Sequence, residues 1–220
     1  MIVTLDGPVA SGKSTAAKNL ARALGFDHLD SGAIYRAITL LASRHKTDTS
    51  DAAAVRKLLT AADVRLDKDK VFLNGTEVSD AIRRPEISAA VRPLAENPDV
   101  REFVESLEHR LSADRNIVVE GRDMGTVVFP DAEVKIYLTA SPEERARRRC
   151  EELKTRGTPQ SFDTVLADLV ARDSADMSRA LAPLRKADGA IEVDNTGLEP
   201  EETLSKLVAV VQTAVQSRGR

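Results

Sequence analysis

A chain of 220 residues with a formal net charge of −3 lacks the basic excess that marks a dedicated nucleic-acid binder. Five Phe, two Tyr and no Trp leave few rings for stacking on single-stranded bases and require a core built from Ala, Val, Leu and Ile. The single cysteine, Cys150, excludes an internal disulfide framework and a cysteine-cluster metal site, and no apolar run approaches the roughly 18 residues that a membrane span needs.

In chain order, residues 2–5 (IVTL) form a short apolar run ending at Asp6-Gly7, as a buried parallel strand does. The strand starts at Ile2 and leaves no room for a signal or transit peptide, so a cytoplasmic protein is expected. A helical pattern runs from about Lys13 to Leu24, with Gly25 placed as its C-cap. FDHL and DSGAIYRAITLLASRH read as strand, turn and helix, and residues 51–62 as another helix. The texture then changes. VRLDKDKVFLNGTEVS alternates like short antiparallel strands, with DKDK and Asn74-Gly75 as turns, and predicts an inserted subdomain over roughly 60–97.

Helix returns at PEISAAVRPLAENPDVREFVESLEHRLSA, broken near Pro98. NIVVEGRD and VKIYLTAS each read as a buried strand running into a loop. SPEERARRRCEELKTRG opens a helix with Ser141 as N-cap, Pro142 in the first turn and Glu144 completing a capping box. SFDTVLADLVARDSADMSRAL is one more helix, AIEVDNT a last strand, and residues 199–216 a terminal amphipathic helix. The alternation predicts an α/β fold in one domain over 1–220. Its open parallel sheet would be flanked by helices and take ligands at the carboxyl ends of its strands.

The motifs fall at those ends. Gly7-Pro8-Val9-Ala10-Ser11-Gly12-Lys13-Ser14 fits G-x-x-x-x-G-K-[ST] between a strand and a helix, the pattern of a phosphate-binding P-loop. Its backbone N–H groups would turn toward phosphate oxygens, Lys13 would bridge the β- and γ-phosphates, and the Ser14 hydroxyl would coordinate Mg²⁺. Asp30-Ser31-Gly32-Ala33-Ile34-Tyr35-Arg36 places Ser31 to cap the next helix and Arg36 to reach back to an anion at its start. Glu120-Gly121-Arg122-Asp123-Met124-Gly125-Thr126 puts an Arg-Asp pair between two glycines, either to clamp phosphate or as a buried structural ion pair. Arg172, Asp176 and Arg179 have i, i+4, i+7 spacing on one helical face, where Asp176 either serves a site or merely pairs with its neighbours. Arg145, Arg147, Arg148 and Arg149 precede a Gly/Pro-containing loop, either as a lid over phosphates or as a solvated helix.

A guanine-reading N-K-x-D is absent, which sets aside a regulatory GTPase, and nothing supports a motor ATPase. Among the basic residues 22 are Arg and 10 are Lys, which is compatible with repeated planar recognition of phosphate. Hydrolysis needs one phosphate group held. Several Arg-bearing segments beside a P-loop imply two phosphate-bearing molecules and transfer between them, with positioning and cationic stabilisation supplying most of the catalysis. A kinase for another small acceptor and a nucleotide-dependent regulatory protein without an acceptor are the alternatives.

GPVASGKST, LDSGAIYR, EGRDMGTVVFPDA and RDSADMSRALAPL, in this order and spacing, closely resemble the bacterial cytidylate kinases, a family of P-loop nucleoside monophosphate kinases. The resemblance runs from Ile2 to about residue 196. It implies transfer of the γ-phosphate of ATP to CMP or dCMP with Mg²⁺, and a monomer that binds neither nucleic acid nor membrane. It also implies a core sheet, a monophosphate-binding insertion over about 60–97 and a short lid over about 150–162. Gly7, Pro8, Val9, Ala10, Ser11, Gly12, Lys13, Ser14 and Thr15 would hold the ATP phosphates, with Ser14 on the metal. Ser31 and Arg36 belong to the acceptor motif, and Arg36, Arg122 and Arg179 would bind the acceptor phosphate. Arg172 and Asp176 would read sugar hydroxyls, Arg101 and Asp123 the cytosine edge. Lys13, Arg122, Asp123 and Arg179 would form the catalytic set. Where the family usually carries a serine that touches cytosine, nine residues before Arg101, this chain has Arg92, and Ser88 lies on the same helical face.

Overall fold

Residues 2–5 become the centre of a parallel sheet. In the computed structural model, which describes residues 1–67 and 69–218 (the side chains of 217 and 218 excepted), strand β1 (Ile2–Asp6) lies between β6 (Ile117–Gly121) and β7 (Val134–Thr139). Beyond β7 comes β8 (Ile191–Asp194), and at the opposite edge β2 (Asp27–Asp30) joins β6, giving the order β2-β6-β1-β7-β8. The register sets Asp6 opposite both Gly121 and Tyr137, so the loops after β1 and β6 leave the sheet side by side. Because the interior strands are covered on both faces, IVTL and IVV are unbroken apolar runs.

The chain divides into two compact units, residues 1–28 with 114–220, and residues 29–113. In the first, α1 (Lys13–Leu24) packs against β1 and β6, and the C-terminal α8 (Pro200–Arg218) packs against α1. Leu5, Leu20, Val118, Ile136, Leu138, Leu207 and Val211 form one buried cluster, in which each large side chain removed from water contributes about 1.5–3 kcal/mol. Helices α6 (Pro142–Thr155) and α7 (Phe162–Met177) pair around a smaller cluster of Ala146, Leu153, Val165 and Leu169.

The second unit holds α2 (Ser31–His45), α3 (Ala52–Thr60), α4 (Pro85–Ala95) and α5 (Pro98–Ser112), together with the antiparallel sheet β3 (Val64–Asp67), β4 (Lys70–Leu73) and β5 (Thr76–Glu77). Asn74 and Gly75 both take positive φ (51° and 78°), the two-residue turn that matches hairpin twist. Lys68, in the expected DKDK turn, lies outside the described residues. The helical stretch breaks where expected: Asn97 accepts from the Val100 N–H, and Pro98 occupies the first turn of α5.

Three local expectations are corrected. Ser31 does not cap α2. Asp30 does, its Oδ1 accepting from the Ala33 N–H at 2.9 Å, while Ser31 is a buried first-turn residue. The capping box of α6 is only half formed. Ser141 accepts from the Glu144 N–H (3.2 Å), but the Ser141 N–H donates to Thr196 Oγ1, and the Glu144 carboxylate takes Arg147 and Arg148 instead. Finally, α7 ends at Met177, so Arg179 lies beyond the helix rather than on its face.

Candidate active site

The loop between β1 and α1 owes its shape to packing as well as to phosphate chemistry. A Cβ on Gly7 would stand 2.0 Å from the Leu138 carbonyl oxygen, so the loop leaves β1 against β7 only because that position is glycine. Ala10, without that freedom, is held at φ 59°. Asn195, buried at the end of β8, donates from Nδ2 to the Ser11 carbonyl (3.0 Å), and Arg148 holds Asn195 through Oδ1 (3.1 Å) and its carbonyl (2.7 Å). The start of α1 is thus tied to β8 and α6.

Lys13 is 6% exposed, and its ammonium folds back onto the Pro8 carbonyl (2.6 Å), with Ser11 Oγ at 3.4 Å. Burial pushes this lysine well below its ordinary pKa, and the Arg122 guanidinium acts in the same direction. Arg172 is also held below the usual arginine value, by loss of solvent around its guanidinium and then by Arg122. Arg122 therefore acts as a repelling cation on both Lys13 and Arg172, while Glu120, Asp6 and Asp176 act on Lys13 as counter-charges and Asp176 and Asp173 on Arg172. Arg122 donates from Nε to Asp176 Oδ2 (3.0 Å), and Arg179 pairs with the other oxygen of the same carboxylate. Asp176 thus joins the two arginines across 54 positions of sequence, rather than pairing only along its own helix. Asp123, next to Arg122, is 5% exposed.

Ser14 and Thr15 are exposed at the start of α1, and the Ser14 hydroxyl donates to Glu120 Oε2 at 2.8 Å. The other oxygen of Glu120 lies 3.2 Å from His28 Nε2. A hydroxyl beside a carboxylate is a hard oxygen set, and it fits an ion such as Mg²⁺ that keeps most of its other positions for water and phosphate. Among the described residues no group of three or more His, Cys, Asp or Glu could hold a metal by itself.

Asp6 and Asn195 carry no motif signal of their own, and Glu120, although it opens the Glu120–Thr126 motif, is given no role by the sequence. Asp6 accepts from the Met124 N–H (2.9 Å) and the Gly125 N–H (2.8 Å) and so fixes the turn that follows Arg122-Asp123. Those two bonds favour its charged form, but burial outweighs them and raises its pKa from 3.8 to about 6. A carboxyl with a raised folded-state pKa stabilises the fold fully below its unfolded pKa and loses that contribution as pH rises through the folded one. Measured by urea unfolding, the difference in stability between the native chain and Asp6→Asn is expected to move against the native chain by about 2.4 kcal/mol between pH 4 and 7.5. A flat difference would show that Asp6 titrates normally.

The remaining predicted residues lie in the second unit. Arg36 reaches back along α2, its Nη2 donating to Asp30 Oδ2 (2.9 Å), while its buried Nε has no hydrogen-bond partner. Arg101, on α5, is 7% exposed and donates to Glu105 (2.8 Å). Arg92 is an exposed residue of α4 paired with Glu96, and Ser88 is half-buried one turn earlier. Of the α6 arginines, Arg147 and Arg149 pair with glutamates of their own helix, as a solvated face would, whereas Arg145 is buried.

The family model described as cytidylate kinase matches residues 3–213. The chain is 43% identical over 210 residues to a cytidylate kinase of Caldanaerobacter subterraneus, covering 96% of this chain and 94% of that one. It is 42% identical over 214 residues to a cytidylate kinase of Bacillus subtilis, with 96% of each chain covered. A crystal structure of an uncharacterised protein from Eubacterium ventriosum shares the fold, with a TM-score of 0.54 at 9% identity over 96% of this chain and 98% of that one. With a match that spans both units and every motif described above, the chain belongs to the cytidylate kinase family.

Proposed function

We propose that this protein transfers the γ-phosphate of ATP to CMP and dCMP, giving ADP and CDP or dCDP, and does so as a cytoplasmic monomer of pyrimidine nucleotide metabolism. The observation that carries the proposal is the convergence of Arg122 and Arg179 on the two oxygens of Asp176, with Arg122 also repelling Lys13 of the P-loop and Arg172. Cations that destabilise one another become favourable when phosphate oxygens lie among them. Family membership names the acceptor. No helix among the described residues is long and apolar enough to cross a membrane.

In this reading the backbone N–H groups that follow Val9, up to Thr15, bind the donor phosphates within the Gly7–Thr15 loop, and Lys13 turns from the Pro8 carbonyl to the β- and γ-phosphates. Ser14, with Glu120 beside it, would hold a Mg²⁺ ion, which supplies charge neutralisation on the phosphates when bound. Arg122 and Arg179 orient the acceptor phosphate and balance charge on the equatorial oxygens during transfer. Asp176, with Arg172, reads the acceptor sugar while keeping both arginines aligned. Arg36 takes the acceptor phosphate. Arg101 and Asp123 read the cytosine edge. The site needs no covalent intermediate, because aligned donor and acceptor can react directly.

ADP formation with ATP and Mg²⁺, measured against CMP, dCMP, UMP, AMP and shikimate, tests the assignment. CMP and dCMP are expected to accelerate ADP formation above every other acceptor. Rates with CMP equal to those in buffer would remove the reading, and acceleration by another acceptor alone would replace it.

A further inference from the structure

One buried ion pair of the first unit has no place in the chemistry above. Asp173, between Arg172 and Asp176 on α7, accepts from the Val9 N–H through Oδ1 (3.2 Å). Its Oδ2 accepts from Arg145 Nη1 at 2.5 Å, and the same Nη1 donates to the Val9 carbonyl (3.0 Å). Arg145 Nε donates to the Ala140 carbonyl at the end of β7 (3.0 Å). The side chains are only 6% and 10% exposed. One carboxylate and one guanidinium therefore grip both polar groups flanking a single loop residue, and Val9 and Ala10 also pack on the apolar cluster between α6 and α7.

This grip falls where the loop needs it. The next residue, Ala10, has φ 59°, a conformation that a non-glycine residue holds only when its surroundings over-determine it. A buried charged pair is weak evidence of a gain in stability, since desolvation offsets much of its attraction, and its retention beside such a loop points to geometry. Val9 also spends its N–H on Asp173, so that group is not free for phosphate.

We propose that Asp173 and Arg145 are positioning residues for the donor loop: they hold the Val9 backbone so that the following N–H groups and Lys13 face the donor phosphates. Through Asp173 the loop is fixed to the helix turn that carries Arg172 and Asp176, which sets the donor loop relative to the acceptor-sugar residues. This rests on the proposed phosphoryl transfer for its kinetic part only, because donor binding is measured without an acceptor.

The test compares the full chain with Asp173→Asn and Arg145→Lys, using titration calorimetry with ATP and Mg²⁺ alone and steady-state kinetics with CMP. Asp173→Asn replaces the oxygen facing Arg145 or the one facing Val9 with an amide nitrogen, so the two bonds cannot both survive. Loss of a charge-assisted hydrogen bond at a binding loop is expected to weaken ATP binding about tenfold or more. The KM for ATP is expected to rise in parallel, with the KM for CMP changing less than about threefold, well under the tenfold that 1.4 kcal/mol produces. Arg145→Lys keeps the charge but loses the fork that reaches Ala140, Val9 and Asp173 together, and it carries the test if Asp173→Asn does not fold. A variant that melts earlier yet binds ATP as the native chain does would overturn the proposal and leave a purely structural pair. Weakened ATP binding in a protein that ignores CMP would instead uphold the positioning role and remove the cytidylate assignment.

Discussion

Replacing Lys13 with alanine is expected to lower phosphoryl transfer by about 10²–10³-fold or more, the scale of losing one pre-organised contact to developing charge. The fold should survive. Lys13 is buried, and burial disfavours its charged form, so relief of that desolvated charge offsets the loss of its bond to the Pro8 carbonyl. The melting temperature of Lys13→Ala is accordingly expected to equal or exceed that of the native chain. Turnover with ATP and CMP, read beside thermal unfolding, checks both parts. Near-native turnover in a folded variant would contradict the role of the loop.

The second large effect concerns the acceptor side. Arg122→Ala is expected to lower kcat/KM for CMP by about 10²–10³-fold while the affinity for ATP changes little. Asp176 would keep Arg179 but lose the 3.0 Å bond from Arg122 Nε, so the two arginines would no longer be aligned through one carboxylate. Arg122→Lys should recover little of the loss, because an ammonium cannot donate from the arginine's planar fork. Equal losses in ATP affinity and in CMP use, or a fully active lysine variant, would move Arg122 out of the acceptor site.

What could be read from the residues, and what could not, follows from the range of the interactions. IVTL followed by a P-loop and a helix is a local signal, carried by apolar runs and spacing, and β1, the loop and α1 appear where those signals place them. The same holds for Asn74-Gly75 and for the break before Pro98. Misjudged details occur where two local solutions compete. Asp30 and Ser31 are both good caps, and the chain uses the aspartate because the serine is already buried in the first turn. The periodicity that places Arg179 on a helix face continues past Met177, but the helix does not, since Ser178 closes it and the Leu184 N–H returns to the Asp176 carbonyl.

Long-range partners left no local trace. Glu120 stands within a motif, yet its bond to Ser14 spans 106 positions, and Asp6 reaches Met124 across 118. Arg145 sits in a run of arginines that the sequence leaves either as a lid over phosphates or as a solvated helix. Its burial depends on Asp173, which lies 28 residues away on a different helix. In each case a charged side chain became intelligible only when the fold supplied its opposite charge or its backbone partner.

The central claim is that the donor loop and the arginines beside it serve transfer to a second nucleotide. Incubating the protein with ATP labelled in its γ-phosphate, Mg²⁺ and CMP, and separating the products, tests it most directly. The label is expected in CDP, formed in step with ADP. Label recovered as inorganic phosphate, at a rate that CMP does not alter, would contradict it.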